Sequence, residues 1–316
     1  MTDNKITHVA AGILIRADGQ FLLGSRPQGK PYAGWWEFPG GKLEQGETPR
    51  QALDRELHEE MGIVVQQAHP WLVQTFAYPH ATVRLNFFKV CSWSGEPQPH
   101  EGQAFVWQTP GATTAEPILP ANTPILRGLQ LPAVLALSNV AELGEAAWLA
   151  RLEARLEQGL RWLVLREPGL AGAAYAALAQ RVLDLARRHG ARVLLHDAPA
   201  LAEQLGADGV HLSARALMAT QQRPAGWLGA SVHSQAELEQ AAALGVDYAV
   251  LGTIKPTLSH PHGPIRGWAG FAEQLMAGWP FPVYGIGGLA AADLPDAYAA
   301  GAQGIAALRW PWREGD

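Results

Sequence analysis

Apolar residues recur along this chain in two different rhythms. Over Thr7 to Arg16 and Phe21 to Ser25, and again near Trp71 to Tyr78, Thr82 to Trp93 and Ala104 to Thr109, bulky residues fall in the short runs and alternations that predict β-strands. Among them, Ala52, Leu53, Leu57 and Met61 lie at helical spacing, which predicts an amphipathic helix with one inward stripe. Thr48 and Pro49 mark its start, as cap and first helical residue, and Gly62 marks its stop. Another helix is expected in PANTPILRGL, with Thr123 as cap and Pro124 in the first turn. The rhythm then changes. Eight apolar runs, VLALSN, LRWLVLRE, ARVLLHD, ADGVHLS, LGASVHS, DYAVLGTI, FPVYGIGG and GIAALR, alternate with Ala- and Leu-rich helical stretches. Continuous apolar strands between helices are what a parallel sheet covered on its outer face requires, and eight such units predict a closed β/α barrel. The fold class is therefore α/β: a mixed-sheet α/β/α sandwich over residues 1–130 and a (β/α)8 barrel over 131–316, joined between Arg127 and Pro132. A length of 316 residues suits two such domains.

The polar face of the first helix changes the picture from fold to chemistry. From Gly41 to Ile63 the chain fits the pattern G-x5-E-x7-R-E-U-x-E-E-x-G-U, where U is a bulky aliphatic residue. Glu56, Glu59 and Glu60 are three and four apart, so one helix face gathers three carboxylates beside Arg55. Such a cluster suits Mg2+, which is usually shared between protein carboxylates and substrate phosphates, so a diphosphate substrate is implied. A merely solvated acidic face would not need Gly41, Glu47 and Gly62 at their set distances.

Composition narrows the partners. Hydrophobic residues form 48% of the chain and charged residues 17%, ordinary for a globular protein. No segment has the length and apolarity of a membrane span, and Cys91 is the lone cysteine, so intrachain disulfides are excluded and a reducing cytoplasm is the natural setting. Residues 1–130 carry 10 Lys and Arg against 12 Asp and Glu, and the remainder 14 against 17. Neither half is basic, which argues against a nucleic-acid polymer as partner and leaves a free nucleotide open.

The Gly41–Ile63 pattern resembles the Nudix signature, and with EFPGGKLEQGETP, SGEP, EGQ and PANTPIL the resemblance extends over residues 5–130 to the MutT-type 8-oxo-dGTP diphosphatases. That resemblance implies hydrolysis of 8-oxo-dGTP to the monophosphate and pyrophosphate, a nucleotide-pool sanitising and mutation-avoiding activity, with Mg2+ or Mn2+ as cofactor. It implies that Glu56, Glu59 and Glu60 bind metal with the carbonyl of Gly40, and that Glu101 is a further ligand or the base. Arg55 would hold a glutamate in place, Glu47 would support the site, and Arg26, Phe38 and Asn122 would line the nucleotide pocket. Asn122 also has a second, local reading, as a cap for the helix near Pro124.

In the second half, polar residues gather where the apolar runs end: Arg166 and Glu167, His196 and Asp197, His211 and Ser213, His233 and Ser234, Lys255 and Arg309. That end is the active face of barrels, with phosphate bound after strands seven and eight, where Gly285, Gly287 and Gly288 fit a backbone-amide cradle. The segments LREP, HD, GADGVHLSARAL, ASVHS, LGTIKPT and YGIGG resemble thiamine phosphate synthase and its TenI-type relatives from Leu131 to Trp312. The resemblance implies a thiamine-related phosphate ligand, with Gly287 and Gly288 at the phosphate. It also shows departures. Ala216 stands where the synthases have an acidic metal ligand, and Pro168 and His260 stand where they have lysines. Losing a metal ligand and two cations weakens the grip on a diphosphate. A TenI-like isomerase, a synthase with altered ligands, and a binding or structural domain all remain open, the last being the expectation here. The Nudix half has an enzyme alternative too, hydrolysis of a thiamine-pathway diphosphate; the non-enzymatic alternative makes the barrel a ligand sensor or docking module.

Overall fold

The first apolar rhythm builds two small sheets around one helix. The structure, a computed structural model, describes residues 6–79, 81–257 and 264–313. Strands β1 (Thr7–Leu14), β2 (Phe21–Ser25), β3 (Trp36–Glu37) and β4 (Gly40–Lys42) precede helix α1 (Pro49–Met61), and β5 (Val64–Tyr78), β6 (Ala81–Ser94) and β7 (Phe105–Gln108) follow it. One sheet runs β4-β1-β6-β5 with β1 and β6 parallel and the other pairs antiparallel; the other sheet runs β3-β2-β7 and is antiparallel throughout. The sheet is thus mixed, as expected. Thr48 closes a capping box with Gln51 at the start of α1, and Gly62 ends the helix in the left-handed region at φ 71°. Ala52, Leu53, Leu57 and Met61 are fully buried against Ala10, Leu14, Leu22 and Val90, the stripe that the spacing foretold.

Two features of this half differ from the sequence reading. β5 starts at Val64, seven residues before Trp71, and crosses register shifts around Gln67 and between Pro70 and Leu72. Pro70 and the polar Gln66–Gln67 pair conceal a strand whose bulges accommodate them. Thr123 is inside helix α2 (Thr123–Gly128) rather than capping it. Asn122 holds the cap position at the end of a 3-10 turn, Pro120–Asn122, and makes no capping bond with its side chain.

The second rhythm closes a barrel of eight parallel strands. In chain order these are β8 (Val134–Leu137), β9 (Trp162–Leu165), β10 (Arg192–His196), β11 (Gly209–Leu212), β12 (Trp227–Val232), β13 (Tyr248–Gly252), β14 (Val283–Ile286) and β15 (Gly304–Ala307), with β15 pairing back onto β8. The accompanying helices are α3 (Val140–Leu143), α4 (Glu145–Glu157), α5 (Gly172–Arg188), α6 (Pro199–Leu205), α7 (Ala214–Ala219), α8 (Gln235–Leu244), α9 (Gly267–Leu275) and α10 (Leu294–Ala299). Strands β9, β11, β13 and β15 are buried along their whole length, which explains their unbroken apolar runs. The interior is filled by Trp162, Val164, Leu194, Trp227, Tyr248, Val250 and Tyr284. By contacts the chain divides into two compact units, Met1–Gln130 with Ala277–Phe281, and Leu131–Met276 with Pro282–Asp316. Among the described residues no helix is long and apolar enough to cross a membrane.

Candidate active site

Helix α1 turns two of its carboxylates toward β4. Glu56 lies directly over Gly41, where an added Cβ would sit 2.1 Å from its carboxyl carbon, so only glycine fits there. One turn further on, Glu60 accepts a hydrogen bond at 3.1 Å from the backbone N–H of Gly40. Glu59 departs from the expectation of three converging acids. Its side chain is 57% exposed and faces Arg55 rather than β4.

Arg55 organises this face. Its Nε and Nη2 fork over both oxygens of Glu47 at 2.8 and 2.9 Å, and its Nη1 reaches Glu56 at 2.9 Å and Glu59 at 3.2 Å. It also donates to the carbonyl of Lys42 at 3.0 Å. Glu47 further accepts from the Glu44 N–H at 2.8 Å. These donors, Arg55 first, hold its carboxyl at about 2. Glu60 is in the opposite state. Burial, with the charges of Glu56, Glu101 and Glu37 added, pushes its carboxyl up to about 8 against the pull of the Gly40 N–H.

The loop after β6 brings Glu101 to the same place. His100 N and the Gln103 amide donate to the carbonyl of Glu60 at 3.1 and 3.0 Å, and Gln103 Oε1 accepts from Glu101 N at 2.7 Å. Glu101 itself meets Lys30 at 2.9 Å. An open pocket results, lined by Lys30, Glu37, Gly40, Glu60, Glu101 and Gln103 among others. Glu37 and Gln103 lie within the EFPGG and EGQ segments without a role having been given to them, and Lys30 lies in no quoted segment.

Arg26, Phe38 and Asn122 do not line that pocket. Arg26 grips both oxygens of Glu37 at 2.8 and 2.7 Å and the carbonyl of Pro31 at 2.7 Å, which closes the loop from Arg26 to Trp35. Burial raises the Glu37 carboxyl, and the Arg26 charge opposes that rise. Phe38 is 3% exposed and packed between Phe21 and Phe87. Its apolar type is explained by the core. Asn122 is 4% exposed, and its amide nitrogen is buried with no hydrogen-bond partner. Its side chain makes no capping bond, so the capping reading fails, and an enclosed donor is left for something else to satisfy. Nearby in the chain, the Ala121 backbone bonds to Tyr78, whose ring adjoins Tyr32 at 5.7 Å and Phe76 at 4.6 Å.

The oxygen-only donor set of Glu56, Glu60, Glu101 and the Gly40 backbone fits a hard divalent cation. Among the described residues no three acidic, histidine or cysteine side chains are grouped closely enough to hold a metal ion by themselves.

At the barrel's strand ends the polar residues are mostly occupied with each other. Glu167 accepts from the N–H groups of Val140 and Ala141 at 2.9 and 3.2 Å, capping α3. Arg309 pairs with Glu142, and Lys255 with Asp293. Ser213 and Ser234 cap α7 and α8. His211 is buried between Tyr248 Oη at 3.0 Å and Ser231 Oγ at 2.9 Å, and burial lowers its imidazole to about 3, so it stays neutral. Gly287 and Gly288 have φ of 115° and 63° and press against Thr253–Pro256, where a Cβ would come within 2.6 Å of Thr253 or 2.8 Å of the Pro256 carbonyl. Close packing of two loops thus suffices to require them. Ala216 lies in α7, bonded through its N–H to Ser213. His260 lies outside the described residues.

Two family descriptions match the chain: "NUDIX domain" over residues 6–129 and "Thiamine monophosphate synthase" over residues 136–310. The first unit is a Nudix hydrolase domain, and the chain belongs to both families, one fused after the other. Over 127 residues it is 43% identical to the 8-oxo-dGTP diphosphatase of Haemophilus influenzae, covering 40% of this chain and 93% of that protein. It is 39% identical to the CTP pyrophosphohydrolase of Escherichia coli over 122 residues, 39% of this chain and 90% of the relative. The barrel is 37% identical to the thiamine-phosphate synthase of Thermus thermophilus over 170 residues, 52% of this chain and 80% of that protein. Nudix hydrolases generally use a divalent metal.

Arg55 gives an immediate test of how the site is held. Arg55→Ala removes the fork over Glu47 and the tethers on Glu56 and Glu59, and is expected to weaken Mn2+ binding by about 10- to 100-fold, the usual effect of losing a residue that orients metal ligands. Arg55→Lys is expected to recover only part of that loss, since an ammonium cannot span both Glu47 oxygens. Equal Mn2+ affinity in parent and Arg55→Ala would remove this role.

Proposed function

We propose that the first unit is an 8-oxo-dGTP pyrophosphohydrolase using Mg2+ or Mn2+, in a reducing cytoplasm, and that the barrel is a phosphate-binding module without synthase activity. The observation that carries the substrate assignment is the buried, partnerless amide nitrogen of Asn122. Guanine offers two acceptors, N7 and O6, on its Hoogsteen edge. Oxidation at C8 turns N7 into a donor, so the edge becomes one donor beside one acceptor. An asparagine amide complements that pair: its nitrogen donates to O6 while its oxygen accepts from N7–H.

Glu56, Glu60 and the Gly40 carbonyl hold the cations, and Glu59 serves from the rim. Divalent cations there would neutralise the polyphosphate and make a water nucleophilic near neutral pH. Glu101 faces the same pocket and serves as a further ligand once cation is bound. Arg55 and Glu47 fix the carboxylates, and Arg26 with Phe38 fixes the wall through Glu37. Attack falls at the inner phosphorus, giving a monophosphate and pyrophosphate.

A second reading has its own support. Fusion to a barrel of the thiamine monophosphate synthase family favours a thiamine-pathway diphosphate as the Nudix substrate. In the barrel, Gly287 and Gly288 would hold the ligand phosphate, while Ala216 and Pro168 stand where the synthases have an acid and a lysine for diphosphate chemistry. The test is pyrophosphate or phosphate release by the full-length protein with Mg2+, comparing 8-oxo-dGTP, dGTP, CTP and hydroxymethylpyrimidine and thiamine diphosphates. The first reading expects kcat/KM highest for 8-oxo-dGTP, and no thiamine phosphate when pyrimidine diphosphate and thiazole phosphate are supplied together. Preference for a thiamine-pathway diphosphate, or product from that pair, would overturn it.

A further inference from the structure

The pocket between β4 and the Glu101 loop is acidic, with Glu37, Glu60 and Glu101 on its lining, and Lys30 is the cation among the lining residues. Two arginines nearby are fully engaged. Arg26 holds both oxygens of Glu37, and Arg55 forks over Glu47 while reaching Glu56 and Glu59. Lys30 differs from both. It makes one monodentate contact, 2.9 Å to Glu101 Oε2, between side chains 50% and 44% exposed, from a loop 71 residues away in sequence. An exposed pair of this kind is worth about 0–1 kcal/mol, so either partner can leave it readily. A lysine also has a flexible stem and three donors that rotate toward whichever anion is near.

We propose that Lys30 is an internal counter-ion that occupies Glu101 until a divalent cation takes that carboxylate, and then turns to a phosphate oxygen of the substrate. The proposal rests on the reading of this pocket as a diphosphate-hydrolysing site. A triphosphate entering the acid-lined pocket meets repulsion unless a mobile cation accompanies it, and Lys30 supplies one at the mouth. A lysine carries a full positive charge at neutral pH, so the exchange moves that charge from carboxylate to phosphate.

The test uses the full-length protein and Mn2+ as probe, with free Mn2+ followed by electron paramagnetic resonance in the absence of nucleotide. Lys30→Met is expected to bind Mn2+ about three- to fivefold more tightly, because a competitor worth up to about 1 kcal/mol has gone. In the same variant KM for a nucleoside triphosphate is expected to rise about tenfold with kcat changed less than about twofold, as for loss of one charge-assisted contact. Lys30→Arg is expected to match the parent in both. Unchanged or weaker Mn2+ binding in Lys30→Met would overturn the proposal. If the parent turns over no nucleoside triphosphate, the substrate assignment falls, while the Mn2+ titration still decides whether Lys30 competes for Glu101.

Discussion

Glu60→Gln is expected to yield a protein that melts a few °C higher than the parent near pH 8 yet hydrolyses nucleoside triphosphates about 10³-fold more slowly. Both effects come from one carboxyl. Glu60 is largely buried beside Glu56, Glu101 and Glu37, and its carboxyl is pushed up to about 8. An acid whose pKa is higher in the folded than in the unfolded chain binds more protons when folded, so its ionisation works against folding. That penalty is absent below the unfolded value of about 4.3, grows as pH rises, and is complete above about 8. Glutamine removes it while its side-chain oxygen still accepts from the Gly40 N–H, the bond seen at 3.1 Å. The melting difference should therefore vanish near pH 4 and widen toward pH 8. Mg2+ should raise the parent's Tm and leave the variant's nearly unmoved, because the cation rewards the charge that the fold penalises. Thermal melts at pH 4, 6 and 8, with and without Mg2+, check the stability half. Loss of the pH-dependent gap, or activity within tenfold of the parent, would show that Glu60 is not the strained metal-binding acid proposed.

What the sequence disclosed and what it concealed divide along a physical line. Local rules were legible: Thr48, Pro49 and Gly62 bound α1 because capping and left-handed conformations depend on the immediate neighbours. The barrel strands were legible because burial on both faces leaves no room for alternation. The spacing of Glu56, Glu59 and Glu60 placed them on one helix, but the choice of which face β4 resolves it: Glu56 and Glu60 turn inward and Glu59 outward. Contacts between distant loops were illegible. Lys30 looks like an ordinary surface residue, and Gln103 has no stated role within EGQ, until the Glu101 loop docks on the end of α1 through His100 and Gln103. The packing of Phe38 was illegible too, since only the fold brings Phe21 and Phe87 around its ring.

Asn122→Ala is expected to collapse the preference for 8-oxo-dGTP over dGTP by about 10²- to 10⁴-fold, chiefly through slower turnover of the oxidised nucleotide at low concentration. A site built around a buried donor and acceptor rejects the wrong partner because the mismatch leaves polar groups unsatisfied, and each such group costs about 1–3 kcal/mol. Two mismatches on one base edge suffice for the range given. The usual objection to a buried substitution, that the protein simply unfolds, has little force here. Asn122 makes no side-chain capping bond, and its amide nitrogen has no partner, so truncation removes an existing penalty and leaves only a small cavity. The melting temperature should accordingly stay at or above that of the parent. Asn122→Asp sharpens the test: a carboxylate offers acceptors but no donor, so it matches N7–H of the oxidised base and opposes O6 of either base. It should therefore bind both poorly while retaining some bias toward the oxidised form. Ratios of kcat/KM for the two nucleotides across parent, Ala and Asp variants decide the matter. A ratio that does not change in the alanine variant would mean that the base is read elsewhere, with the aromatic group of Tyr32, Phe76 and Tyr78 the next place to look, and a high CTP rate in the parent would point to a pyrimidine there.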